Sequence, residues 1–430
     1  MSVTAVIFLT FVGLLVIGAP ITLSLGAAAM GGMIFSGKPL EGLVEIAYTS
    51  VNSFPIMALP AFILSGALME SAGISKRLVA VAEAMAGPFT GGMATSTILS
   101  CLFFGAISGS GPATTAAVGM LMIPAMVRHG YEKGYAGAVT SSSGGLGVVI
   151  PPSIPMVIYG VAASQSIADL FVAGFIPGLM LAGGLMGMNY LRSKQKHYKG
   201  DGKELSIKTV MKTMKEGFWA LLTPVIILGG IYTGFFTPTE AAIVSIFYTL
   251  FVGIFIYKEL ELKGAMQALE STTWITGRVL IIMFTALAFG QLLTINKIPD
   301  LIAQGLLNMT DNLYMIWALV IFFLLFMGMF METLATIMLV TPVLLPVMVS
   351  LGVDPIHFGV VLVCCCEIGF ATPPLGENMF VASGVAKATL EEISLQALPF
   401  VFVAILVVFL IAYFPILTLW LPDLLGSIFQ

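Results

Sequence analysis

Hydroxyl-bearing residues and glycines cluster in one short segment of an otherwise apolar chain. The turn 108–110 reads Ser-Gly-Ser and precedes Pro112, a residue typical of the first turn of a helix, and Thr114 and Thr115 follow within that helix. The start of a helix offers unbonded backbone amides, so with these hydroxyls it can bind an anion such as a carboxylate. The serine oxygens and the carbonyls of the turn can hold Na⁺ beside it. A tight turn between packed helices, with no ligand, is the alternative interpretation.

Two proline pairs interrupt apolar sequence at matching positions. Pro151 and Pro152 follow Gly147, and the same arrangement recurs 222 residues later, where the pair 373–374 follows Gly369. Proline removes the hydrogen bond to the carbonyl four residues earlier, so each pair frees the carbonyl of a glycine. Such carbonyls are hard oxygen ligands that suit Na⁺. An ordinary kink explains a single pair equally well, but two pairs with the same glycine spacing favour a binding site.

A second polar turn corresponds in position to the first and contains Glu332 and Thr333. An acid at membrane depth costs about 2.5–3.5 kcal/mol unless it is paired or hydrated. We therefore expect Glu332 either to cap its helix or to bind a cation. Beyond the second proline pair, Asn378 is expected to be a substrate ligand, whereas Glu367 and Glu377 are open to a structural role.

Apolar residues dominate the composition. Hydrophobic residues make up 58% of the 430 residues and charged residues 9%, which argues against a soluble core and indicates an all-α polytopic membrane protein. No GxxxxGK[ST] motif suggests ATP hydrolysis, and the three histidines fall in predicted loops. We therefore expect a transporter rather than an enzyme.

The apolar segments divide the chain into two copies of one unit. Five crossings are predicted in each half, at 3–18, 20–36, 54–70, 134–164 and 168–191, and at 218–236, 239–257, 274–293, 356–388 and 393–414. The fourth crossing of each half, 134–164 and 356–388, is a broken helix. A re-entrant hairpin is predicted before the first broken helix, at 94–127, because its two arms are too short to cross comfortably. Another hairpin is predicted at 313–349, with its tip near 330–333. The segments 74–86 and 296–308 are predicted to be amphipathic helices at the interface.

An odd number of crossings per copy places the two copies in opposite orientations, so the repeat is inverted. The first repeat is 1–191, a basic linker is 192–216, and the second repeat is 217–430. Eight Lys and Arg residues lie between Arg192 and Lys215, so the linker is cytoplasmic and both termini are periplasmic. This topology places fifteen basic residues inside and two outside. Arg278 falls within a span, where we expect its guanidinium to reach back to the interface, with a coupling role as the alternative.

Together these segments resemble the large membrane subunit of tripartite ATP-independent periplasmic (TRAP) transporters, of the DctM or SiaM type. The resemblance covers essentially the whole chain and is carried by SGSGPATTAAVG, SSSGGLGVVIPPSIPMVIYG, METLATIMLVTPVLLP and EIGFATPPLGEN. It implies a secondary transporter of the bacterial inner membrane that is driven by Na⁺, with two or more coupling ions. Its substrate would be an organic acid, sialic acid or a C4-dicarboxylate, delivered by a periplasmic substrate-binding protein.

The resemblance also implies an elevator mechanism, in which the hairpins and broken helices move against a scaffold of the remaining spans. A small four-helix membrane subunit is implied as a partner, and we expect it to be a separate chain because this sequence begins directly at the first span. No nucleic-acid partner is predicted. A stand-alone dicarboxylate symporter driven by Na⁺ or H⁺, with no binding protein, is the alternative function.

The predicted site residues fall into two sets. The resemblance implies one Na⁺ site formed by Ser108, Ser110, Gly147 and Pro151, and a symmetry-related site formed by Gly328, Thr333, Gly369 and Thr372. The residues expected to line the substrate site are Ser108, Gly109, Ser110, Thr114, Thr115, Pro152, Glu332, Pro374 and Asn378. Because Ser110 corresponds to Glu332, the two halves of the site are not expected to be equivalent.

Overall fold

The computed structural model describes residues 2–52, 54–200, 206–310, 312–373 and 376–429, and its regular elements are helices. The N-terminal half contains two helices that form the predicted first hairpin, followed by three short helices around the first proline pair. The helices of this half are α1 (Val3–Val16), α2 (Ile21–Phe35), α3 (Glu41–Val51), α4 (Ala58–Ser71), α5 (Ile74–Ala86), α6 (Gly92–Ser108), α7 (Gly111–Arg128), α8 (Lys133–Gly144), α9 (Leu146–Val149), α10 (Ile154–Ala163) and α11 (Ile167–Gln195).

The C-terminal half has a similar order of long helices, hairpin and helix break. Its helices are α12 (Ile207–Glu216), α13 (Phe218–Tyr232), α14 (Pro238–Phe251), α15 (Leu262–Ile295), α16 (Ile298–Met309), α17 (Leu313–Phe330), α18 (Thr333–Ser350), α19 (Pro355–Phe370), α20 (Glu377–Ala386), α21 (Leu390–Tyr413) and α22 (Ile416–Phe429). The hairpin tips therefore fall at 109–110 and 331–332, where the polar turns predict them.

Side-chain caps fix where several helices begin. Thr237 before α14 and Thr389 before α21 each form a capping box with the glutamate three residues later. Asp354 accepts hydrogen bonds from the backbone amides of Ile356 and His357 at 2.7 and 3.2 Å, which starts α19. These local signals explain why the observed helices begin close to the predicted spans.

Seven helices of the described chain are long and apolar enough to cross a membrane, or up to nine if each of two bent pairs counts as one span. The first bent pair is the predicted broken helix, where 133–149 and 154–163 meet at 44°. Hairpin arms α17 and α18 each have 18 residues, about the minimum that spans a bilayer. By length alone, each arm of this second hairpin could therefore cross the bilayer.

Two further features differ from expectation or were not predicted. Helix α15 begins at Leu262 rather than near 274, because the polar residues of its first turns continue the helix outside the apolar window. Helix α12 lies in the basic linker and bends by 66° into α13. The amphipathic helices predicted at 74–86 and 296–308 are observed as α5 and α16.

Helix packing joins the two halves around the breaks. Helix α10, which follows the first break, packs on α18 of the second hairpin, and α20, which follows the second break, packs on α7 and α8. Helices α11 and α21 pack on each other and on this central group. Helices α1, α2, α4, α14 and α15 pack mainly on one another, but α15 also packs on α18 of the second hairpin. The two outer spans 168–191 and 393–414 thus associate with the hairpins and broken helices rather than with the other spans.

Candidate functional site

The first hairpin tip brings three oxygen atoms close together. Helix α6 ends at Ser108, Gly109 adopts the left-handed conformation with φ 63°, and Ser110 is extended before α7 begins. The hydroxyls of Ser108 and Thr114 are 2.7 Å apart, and the hydroxyl of Ser108 donates to the Ser110 carbonyl at 3.3 Å. A glycine at 109 permits the sharp turn that folds these groups together.

The first helix break lies directly against this tip. Helix α9 ends at Val149, and Ile150 before Pro151 is extended, as the steric effect of proline predicts. Because neither proline has an amide hydrogen and the Ile150 amide donates to Leu146 at 3.0 Å, the Gly147 carbonyl receives no bond from the following turn. The Gly147 carbonyl is therefore free, as the proline pair predicts.

Close backbone approaches hold the tip and the break together. The Ile154 amide donates to the Gly109 carbonyl at 3.3 Å, and a Cβ added to Gly109 would lie 2.9 Å from the Pro152 carbonyl. A Cβ added to Gly147 would lie 3.1 Å from the Ser110 carbonyl and overlap the Thr114 hydroxyl. The structure therefore brings Ser108, Gly109, Ser110, Thr114, Gly147 and Pro152 together. Pro151 is buried at the bend between them.

The second hairpin meets the second break in a similar way. A Cβ added to Gly369 would lie 2.7 Å from the Gly328 Cα, so the two glycines are in backbone contact. The Gly369 carbonyl, expected to be free, accepts the Thr372 amide at 2.9 Å, because the chain tightens into a three-residue turn before the prolines. The Thr372 hydroxyl donates to the Ile368 carbonyl at 2.7 Å. The second break therefore leaves fewer free carbonyl oxygens than the first break leaves at Gly147. Pro374, which was predicted to line the substrate site, lies outside the described residues.

Glu332 does not cap its helix but forms an ion pair with Arg278. It occupies the position before α18 without a side-chain capping bond, and its carboxylate lies 2.6 Å from the guanidinium of Arg278. Arg278 therefore forms an ion pair with the hairpin tip instead of only reaching back to the interface. The two residues are far apart in sequence, which hid this pairing from the pattern of spans.

Asn378 and Thr115 lie near Gly111, the first residue of α7. A Cβ added to Gly111 would lie 3.2 Å from Asn378 Oδ1 and 2.7 Å from Glu367 Oε2. Thr333 of the second hairpin donates to the other Glu367 oxygen at 2.9 Å. Glu367 thus connects the second hairpin to the start of the first hairpin's second arm. The sequence offered only one signal for this role, an acid two residues before a glycine at a helix break.

The geometry combines hydroxyl and carbonyl oxygens, which bind hard cations, with a helix N-terminus, which attracts an anion. A profile of the family described as "Tripartite ATP-independent periplasmic transporter, DctM component" matches residues 8–417. The chain belongs to the DctM family. The hairpin-tip and helix-break segments described above all lie within the part of this DctM chain that the family profile covers.

Three relatives of this DctM chain are named as permeases of TRAP transporters. It is 44% identical over 411 residues to the isethionate TRAP transporter permease protein DctMQ of Oleidesulfovibrio alaskensis. That match covers 95% of this chain but only 65% of the length of the relative. It is 36% identical to the C4-dicarboxylate large permease DctM of Rhodobacter capsulatus, with 98% and 99% of the two chains covered. It is 37% identical to the sialic acid large permease SiaM of Vibrio cholerae, with 96% and 97% covered.

A solved structure supports the fold of this DctM chain. The YdaH transporter of Alcanivorax borkumensis matches it with a TM-score of 0.62 at 14% identity, covering 97% of this chain and 98% of the other. At this identity the likeness shows the fold of a polytopic membrane transporter and nothing finer.

Proposed function

We propose that this chain is the large membrane subunit of a Na⁺-coupled TRAP transporter that imports an organic anion across the bacterial inner membrane. The observation that carries the proposal is the meeting of each hairpin tip with a helix break, through Gly105, Gly147 and Ser110 on one side and Gly328 and Gly369 on the other. Irregular backbone at membrane depth is tolerated where it is buried in protein or lines a cavity, and it offers oxygens to ions.

The two predicted Na⁺ sites occupy these meeting points. The first uses the oxygens of Ser108 and Ser110 with the carbonyl of Gly147, next to the bend at Pro151. The second uses backbone oxygens near Gly328 and Gly369 with the hydroxyls of Thr333 and Thr372. Because the Gly369 carbonyl already accepts the Thr372 amide, we expect the second site to bind its ion more weakly.

The packing supports an elevator in an inverted repeat. Helices α10 and α18 pack together across the two halves, as do α20 and α7, so hairpins and broken helices form one body. We assign α11 and α21 to this moving body because they pack on it. We assign α1, α2, α4, α14 and α15 to the scaffold because they pack mainly on one another, and the contact of α15 with α18 is then the boundary between the two bodies. The basic linker is then cytoplasmic and both termini are periplasmic.

The substrate is an organic anion whose acid group binds near the N-terminus of α7. The relatives' names include isethionate, C4-dicarboxylates and sialic acid, so a sulfonate joins the two carboxylate classes as a candidate. As the family's tripartite description implies, a small membrane subunit and a periplasmic binding protein would be the partners.

Uptake into proteoliposomes tests the proposal. The chain, reconstituted with its small membrane subunit, should accumulate one of isethionate, succinate or sialic acid only when both the cognate binding protein and an inward Na⁺ gradient are present. Replacing Na⁺ by K⁺ is the matched control. Uptake of an acid that depends on neither the binding protein nor the Na⁺ gradient would contradict the proposal and favour a stand-alone symporter.

A further inference from the structure

Three buried polar side chains at the centre of the protein have atoms without hydrogen-bond partners. Glu367 is 4% exposed and its Oε2 has no partner, and Asn378 is 0% exposed with neither amide atom bonded. The Thr115 hydroxyl, also 0% exposed, has no partner either. Buried polar groups in proteins are normally hydrogen-bonded, so three such side chains together indicate a ligand.

These atoms lie around Gly111, the first residue of α7. The position of a Cβ on Gly111 lies 2.7 Å from Glu367 Oε2 and 3.2 Å from Asn378 Oδ1. The position of a Cβ on Gly144 overlaps the Thr115 hydroxyl and lies 3.1 Å from the Gly111 carbonyl. Because Gly111 and Gly144 carry no side chains, the polar atoms of Glu367, Asn378 and Thr115 can approach the backbone of these glycines closely.

The carboxylate of Glu367 has no cation to balance it among the described residues. Its one hydrogen bond comes from the neutral Thr333 hydroxyl, and none of the ion pairs in the described part of the chain includes it. A buried, uncompensated charge is strongly unfavourable. The site would also repel an anionic substrate held by Thr115 and Asn378.

We propose that Glu367 anchors a further Na⁺ site, distinct from the two at the hairpin tips, whose ion must bind before the organic anion. Glu367 Oε2, Asn378 Oδ1, the Thr115 hydroxyl and the Gly111 carbonyl supply its oxygens. Asn378 then presents Nδ2 as a donor to the substrate, so one side chain contacts both ion and anion. The inference rests on the proposed function and adds a third coupling ion to it.

The donor set selects a monovalent hard cation. One carboxylate with neutral hydroxyl, amide and carbonyl oxygens balances a single positive charge. Within the described ranges no group of three His, Cys, Asp or Glu side chains exists that would favour a transition metal.

The decisive experiment measures the charge moved per substrate in proteoliposomes containing the chain with its small membrane subunit and binding protein. Glu367→Gln removes the charge at nearly constant shape, and we expect the number of Na⁺ ions per substrate to fall by one. Glu391→Gln, an exposed glutamate at the start of α21, is the matched control and should leave the number unchanged. An unchanged number in Glu367→Gln would overturn the inference.

A second variant keeps the inference testable if Glu367→Gln fails to fold. Glu367→Asp keeps the charge and withdraws it by one methylene, so we expect about a tenfold weaker apparent affinity for Na⁺. An unchanged Na⁺ affinity, or a dependence on pH that replaces the dependence on Na⁺, would contradict a Na⁺ site. Failure of the wild-type protein to couple uptake to Na⁺ would instead refute the proposed function, so the two failures are distinguishable.

Discussion

The ion pair between Arg278 and Glu332 connects two bodies that an elevator would move apart. Arg278 lies on α15 of the proposed scaffold, and Glu332 lies at the tip of the second hairpin. Their charged atoms are 2.6 Å apart, and the side chains are 52% and 23% exposed. Movement of the hairpin body breaks this contact, so the pair stabilises the conformation seen here relative to others. Arg278→Gln should therefore shift the population away from it.

The size of the shift follows from the exposure of the pair. Two unit charges 4 Å apart attract by about 4 kcal/mol at an effective dielectric constant of 20. Solvent screening at the exposed guanidinium and the entropy cost of ordering two long side chains reduce this attraction to about 1 kcal/mol. That free energy corresponds to about a fivefold change in the ratio of the two conformations.

Distances between spin labels report this ratio. The native cysteines at 101 and 364–366 are all buried, so exposed positions can be labelled selectively. We would place labels at Phe247→Cys on α14 and Leu398→Cys on α21, both exposed and on opposite bodies. Both Arg278→Gln and Glu332→Gln should change the ratio of distances about fivefold.

A charge swap separates the ion pair from other effects of the substitutions. Arg278→Glu combined with Glu332→Arg should restore the wild-type distribution, whereas Arg128→Gln, at an exposed arginine on α7, should not alter it. Unchanged distances in both single variants would refute the reasoning. So would a swapped variant that resembles them rather than wild type.

Three further predictions concern packing and pH. Gly147→Ala should abolish uptake because its Cβ would overlap Thr114, whereas Gly183→Ala, with nothing within 4 Å, should be silent in the same uptake assay. Asn189→Leu should lower the free energy of unfolding by about 2 kcal/mol, because the Asn189 side chain is hydrogen-bonded to Tyr135, Thr95 and Ser193 in a buried network. An unchanged midpoint of thermal unfolding would contradict this. Although desolvation alone would raise the pKa of the Glu259 carboxyl, hydrogen bonds and charges from Arg77 and Lys76 lower it below its ordinary value. Glu259→Gln should therefore lower stability by about 0.5–1 kcal/mol at neutral pH, and this difference should vanish as the pH falls through the folded pKa.

Local sequence predicted the elements better than the contacts between them. The turns at 109–110 and 331–332 and the break after Gly147 carry glycine and proline signals that act within a few residues, so they could be located. Helices α3, α12 and α22 lay outside the predicted spans because they are short or lie in polar or terminal sequence. The apolar windows also did not predict that α15 continues through its polar first turns.

The contacts of the acidic residues could not be predicted, because they join segments distant in sequence. Arg278 meets Glu332 across two helices, and Glu367 meets Gly111 across the two halves of the chain. Asn378 was predicted as a ligand, but its position beside an acid was not. Hydrophobic patterning determines which segments span and carries little information about which polar atoms meet between them.

The dependence of uptake on Na⁺ in Ser108→Ala tests the central claim most directly. The Ser108 hydroxyl bonds the Thr114 hydroxyl, which lies against Gly147. Its loss removes one oxygen of the first predicted Na⁺ site while leaving the hairpin backbone in place. In proteoliposomes with the small membrane subunit and binding protein, we predict that the Na⁺ concentration for half-maximal uptake rises about tenfold or more relative to wild type. An unchanged Na⁺ dependence in Ser108→Ala would contradict the placement of coupling ions at the hairpin tips.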